Sequence, residues 1–224
     1  MSKRKGRFLA AILLLLAIVA GGAAMCFDRH SPEYALTETG AALRARDAAK
    51  LAEFVESDAF LAAAYDDGAA ELAEAVGTLH ECYPQDMFFW HDTAFMRDYA
   101  AMHRAAALLA MRQALDLYLS GGATKPAVFE TDPVAWGAAD LASILSATSA
   151  DIVSVQKDGS EAVATLRLRG SGDYGGLLDG MEVKLAMRQR HDGMWQILRV
   201  TNAKELVLPV TDSAERYWTL QGWQ

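Results

Sequence analysis

A chain of 224 residues with 52% hydrophobic and 22% charged side chains can bury a sizeable core. Domains usually run to about 100 to 200 residues, so this excludes wholesale disorder and leaves no room for a second full domain. The net charge is −8, but Lys3, Arg4, Lys5 and Arg7 precede every acid; without them 17 basic residues face 29 acidic ones, a net of −12. So acidic a body disfavours nucleic acid, whose phosphates are bound by displacing counterions with Lys and Arg.

The first element is the uncharged run of 20 residues from Phe8 to Phe27. As a helix it would be roughly 30 Å long, the hydrocarbon thickness of a bilayer. The cationic cluster before it and Asp28 after it predict a transmembrane signal anchor over residues 1–27, with the N-terminus cytoplasmic and the body extracytoplasmic. The alternative is a signal peptide cleaved near Gly22-Ala23-Ala24, which would leave the body secreted or periplasmic. Met25 before Cys26 argues against a lipid-modified cysteine, because a small residue is wanted there. Cys82, the other cysteine, is expected to be a buried small apolar residue rather than half of an internal disulfide.

Ser31-Pro32-Glu33 combines a capping residue, a proline suited to the first helical position and an acid suited to the helix dipole, so a helix starts there. Asp47 is expected to cap a second, short helix carrying Leu51, Phe54 and Val55, and Ser57 or Asp58 a third running towards Leu79. Pro84 interrupts the pattern; a longer helix starts at Asp86 or Thr93 and stops at Leu119 before Ser120-Gly121-Gly122. Phe95, Tyr99, Met102, Ala106 and Leu109 form one apolar face of it and Leu108, Met111, Leu115 and Leu119 a second, which predicts packing on both sides. Asp132-Pro133 opens another helix ending near Ser146.

Beyond it the apolar period becomes two. Ala162, Ala164, Leu166 and Leu168 alternate with polar or outward positions, as do Val183, Leu185 and Met187. Runs at 151–156 and 195–202 join these through Asp158-Gly159 and Asp192-Gly193, dipeptides that tolerate the positive φ of tight hairpins. Helices followed by two hairpins predict an α+β domain over residues 28–224: helices at about 31–147, a four-stranded antiparallel sheet at about 150–207, and a C-terminal tail from 208 docked on the body.

With Ala42-Leu43-Arg44-Ala45-Arg46-Asp47 early and Met194-Trp195-Gln196-Ile197-Leu198-Arg199-Val200-Thr201-Asn202 late, the layout resembles membrane-anchored bacterial proteins of unknown function that carry a cystatin-like cone, the cone of nuclear-transport-factor-two-like domains. The resemblance implies a curved sheet wrapped on helices, often with a pocket at the open end, and brings no characterised active site.

Candidate sites are sparse. Gly170-Ser171-Gly172-Asp173-Tyr174-Gly175-Gly176 satisfies GxGxxG, yet no helix is expected after it and Asp173 and Asp179 would repel a phosphate; a strand connection is the better reading. His80, Glu81, Cys82, His91 and Asp92 are metal-capable but lack converging spacings, so no metal or cofactor is expected. Met87, Phe88, Phe89 and Trp90 read as core, with a partner-binding or bilayer-contacting patch as the alternative if they are exposed. Arg167, Arg169, Lys184, Arg188 and Arg190 share the polar sheet face, a candidate surface for an anionic ligand or acidic partner, against the plainer reading of a solvated face paired with acids. No GxSxG elbow and no pair of carboxylates on an apolar strand face is present, so no catalytic residue is assigned. The expectation is a membrane-anchored, non-catalytic binding or assembly module whose partner is an envelope protein or small molecule; the alternative is a ligand carrier or enzyme using a pocket between sheet and helices.

Overall fold

The computed structural model describes residues 28–222 apart from Ala123 and Glu130. The expected anchor and Cys26 lie outside the described residues, and among those residues no helix is long and apolar enough to cross a membrane. The architecture is α+β. The described helices are α1 (Pro32–Ala45), α2 (Ala48–Phe54), α3 (Ser57–Glu74), α4 (Val76–Cys82), a 3-10 turn (Met87–Trp90), α5 (Thr93–Leu119), α6 (Pro133–Ala147), the single turn α7 (Gly172–Gly175) and α8 (Ala203–Leu220). The strands are β1 (Thr148–Asp158), β2 (Glu161–Gly170), β3 (Glu182–Gln189) and β4 (Trp195–Val200), hydrogen-bonded in that order as one antiparallel sheet.

Local chemistry sets the boundaries. Ser31 Oγ accepts the Tyr34 amide, Asp47 the Lys50 amide and Asp132 the Ala135 amide, each satisfying an amide without an intrahelical partner. For α3 the cap is Glu56 rather than Ser57 or Asp58: its carboxylate accepts the Ala59 amide at 2.7 Å. The helix also breaks at Ala75 instead of running through to Leu79. Gly159 and Gly193 hold the hairpins at φ 57° and 80°.

The sheet's inward face is the core. Ala164, Leu166, Leu168, Val183, Leu185 and Met187 are all buried, with Ala164 opposite Leu185 and Leu166 opposite Val183. Trp195 and Ile197 continue the face on β4, and α1, α2 and α3 pack across it. A smaller apolar cluster of Ala73, Val76, Leu79, Phe88, Phe89, Met96 and Val207 lies beneath the 3-10 turn.

The C-terminal region departs from the expected strand and tail. The last strand ends at Val200, and residues from Ala203 to Leu220 form one helix with Pro209 inside it. Leu206, Val210, Ala214, Tyr217 and Trp218 bury one face at helical spacing, and this burial outweighs the hydrogen bond that Pro209 cannot give to the Glu205 carbonyl.

Candidate functional surface

Among the described residues, large apolar side chains pack the space between sheet and helices. Trp195, Phe54, Leu36, Ile144, Leu166, Leu168 and Leu177 are all less than 2% exposed.

The one charged carboxylate inside this body, among the described residues, is Asp140. It stands four residues after Trp136 on the buried face of α6, and three residues bond it while two more hold those three in place. Lys125 Nζ donates to Asp140 Oδ1 at 2.7 Å and to Gln221 Oε1 at 2.8 Å, and rests 4.1 Å from the centre of the Trp136 ring. Tyr174 donates to the same Oδ1 at 3.0 Å, Tyr217 donates to Oδ2, and Trp136 Nε1 donates to the Tyr217 hydroxyl at 2.6 Å. Burial pushes the Tyr217 phenol far up, and the Asp140 charge beside it pushes the same way. Both carboxylate oxygens are engaged and the ammonium has three polar partners, so this is a closed clasp and not an open reaction centre.

Tyr174 reaches the clasp because of glycines in the GxGxxG stretch. A Cβ on Gly170 would run into the Gly175 carbonyl, and one on Gly175 into the Ala147 carbonyl. These glycines let backbone pass against backbone where α7 folds onto the end of α6; the stretch connects β2 to β3, with one helical turn that the sequence reading did not include. Beyond it, a cleft of about 500 Å³ separates the β2–β3 connection from α8, with Asp179, Glu205, Asp212 and Arg216 on its walls and Leu177 and Pro209 among its apolar lining.

The five basic residues expected on the polar sheet face are each matched by an acid. Arg169 Nε meets Asp151 at 3.1 Å, Lys184 meets Glu205 at 3.2 Å, Arg188 meets Glu161 at 3.3 Å, Arg190 meets Asp192 at 3.0 Å, and Arg167 Nε meets Glu182 at 3.1 Å. The face is therefore locally neutral, and the surplus cationic charge that an anionic ligand would need is absent from these five positions.

The metal-capable residues go separate ways: His80 packs edge-on against Trp90, His91 stacks on Phe95 at 3.8 Å between ring centres, and Asp92 caps α5. Among the described residues no group of three or more His, Cys, Asp or Glu could hold a metal ion. Cys82 is exposed, not buried as expected, because α4 ends on it before the chain turns at Tyr83. The aromatic run divides: Phe88 and Phe89 are core, while Met87 and Trp90 are exposed at 55% and 59%.

The largest departure is on α5. One side of it is held by Met96, Ala100, Met111, Ala114, Leu115 and Tyr118, and by ion pairs to α3 from Arg97, Arg104 and Arg112. The other apolar face, expected to be packed, is covered only at Tyr99, which rests on Phe88: Phe95, Met102 and Leu109 are 39%, 77% and 57% exposed, and Ala105 and Ala106 between Met102 and Leu109 are exposed too. At 100° per residue Met102 and Leu109 are only about 20° apart around the helix, so the stripe is continuous. Exposed apolar side chains are ordinary singly; here they are aligned along one helix. No family model, curated protein or solved structure matches the chain.

Proposed function

We propose that the chain is a non-catalytic binding or assembly module, held at a membrane by residues 8–27 with its body on the extracytoplasmic side, and that the open face of α5 is its docking surface. The exposed Met102–Leu109 stripe carries this reading: it lies on a helix whose opposite side is fixed by burial and by three ion pairs. The closely packed core and the Asp140 clasp, whose two carboxylate oxygens are both engaged, support it. Four antiparallel strands closing on helices are compatible with the cystatin-like cone, which remains part of the proposal.

Replacing Met102 and Leu109 together by Glu tests the docking surface. Both side chains are in solvent, so the melting temperature should stay within a few degrees. Native electrophoresis of the full chain from its own membranes should show the assembly lost. An unchanged assembly would refute the reading. A second reading, a small-ligand carrier, rests on the cleft beside α8, and a ligand-induced rise in melting temperature abolished by Arg216→Ala would favour it.

A further inference from the structure

We infer that the partner docked on α5 is a second copy of the chain, packed antiparallel across the Ala105–Ala106 step; this rests on the docking reading above. Across the centre of the stripe the order of side chains is its own complement, while Phe95 at its end falls opposite the partner's Asp116. An antiparallel two-fold axis between residues 105 and 106 sets Met102 against the partner subunit's Leu109, and Leu109 against the partner's Met102. It sets Ala105 against the partner's Ala106, and small side chains at the crossing let helix axes approach to about 8 Å. Asp98 and Gln113 are both exposed, and the same axis places them opposite each other, so that the amide can donate to the carboxylate. A parallel pairing would instead set Asp98 against the partner's Asp98. A closed two-fold contact requires this reciprocity, each position meeting its mate twice.

The surface available is of the right order. Taking about 200 Å² for a large side chain, Met102 and Leu109 expose about 270 Å² and Phe95 about 80 Å² more, an area suited to the apolar centre of such a contact. A standard interface covers about 800 Å² on each partner, with an apolar centre and a polar rim. The three guanidinium groups of α5 that could disturb such a contact are already turned to α3, where Arg104 meets Asp66 at 2.7 Å and Arg97 and Arg112 meet Glu74 and Asp58.

The test uses the full chain in isolated membranes, with Cys26→Ser and Cys82→Ser to remove native thiols and Ala106→Cys at the proposed axis. Mild oxidation should convert most of the protein to a species of twice the monomer mass on a non-reducing gel. Val153→Cys, exposed on the outer sheet face, should give at least tenfold less, and adding Met102→Glu with Leu109→Glu should abolish the Ala106→Cys product. Labelling of Ala106→Cys with a bulky maleimide separates the two levels of the argument. A monomer still protected from maleimide would overturn self-association and retain docking by a different protein. A monomer labelled as fast as Val153→Cys would overturn both.

Discussion

Leu185 is the most informative position at which to test the register of the sheet. It is fully buried on β3, opposite Ala164 of β2 and Val200 of β4, and strand side chains alternate, so a slip of one residue would turn it to solvent. Leu185→Ala removes three carbon centres, and at about 0.8 kcal/mol for each buried methylene the lost transfer energy is about 2.4 kcal/mol. A residual cavity on the order of 60 Å³, at about 24 cal/mol per Å³, adds about 1.4 kcal/mol, for a total near 4 kcal/mol. For a body of this length each kcal/mol lowers the melting temperature by about 2 to 4 °C, so a drop of about 8 to 16 °C is expected in calorimetry. Thr165→Ala, half-buried on the outer face between Ser154 and Lys184, should cost no more than about 1 kcal/mol. If Leu185→Ala melted together with Thr165→Ala, the inward face as described would be wrong.

Replacing Arg167, Arg188 and Arg190 together by Gln should lower stability by no more than about 1.5 kcal/mol, since their ion pairs are solvent-exposed; a larger loss in urea unfolding would show hidden burial. Lys125→Met should cost about 3 kcal/mol by leaving the Asp140 carboxylate short of its cation, and Lys125→Met with Asp140→Leu should cost clearly less than the two single changes added, which a double-mutant cycle in denaturant measures. Burial, aided by the neighbouring Asp66 charge, pushes the Tyr65 phenol up to about 12, while its hydroxyl donates to the Ala100 carbonyl. The folded state therefore holds this proton more tightly than the unfolded chain, so its contribution is full below pH 10 and is lost as pH rises from about 10 through 12. Spectrophotometric titration at alkaline pH should show this late phenol disappear in Tyr65→Phe. Fractionation with mass spectrometry of the N-terminus should find the chain in the membrane with residues 8–27 retained; a soluble chain beginning near Met25 would refute the anchor.

The features readable in the sequence are those whose cause is local. Period-two runs with Asp-Gly between them gave the strands and their inward sets, and Ser31-Pro32, Asp47 and Asp132-Pro133 marked helix starts because a cap acts within three residues. Long-range features were hidden. Lys125, Asp140, Tyr174, Tyr217 and Gln221 are scattered over almost a hundred residues, and the available hint was an acid in the otherwise apolar helix 133–147. Helical periodicity identified two apolar faces on α5 but could not say which one a neighbour covers. Pro209 and the shift away from period two after Val200 masked α8, although Leu206, Val210, Ala214 and Tyr217 keep helical spacing through it.

The clasp also orders events in time. Asp140 leaves the ribosome long before Tyr217 and Gln221, which follow it by 77 and 81 residues. Until they arrive, α6 carries a carboxylate with Lys125 and Tyr174 as its only partners from the clasp, and the last buried turn of α8, with Tyr217 and Trp218, is missing from the core. A chain released early would therefore be an expanded, protease-sensitive species and not a shortened native one. Stopping translation just before Tyr217 should trap that species, and restoring the chain from Tyr217 onward should close it in a single cooperative step.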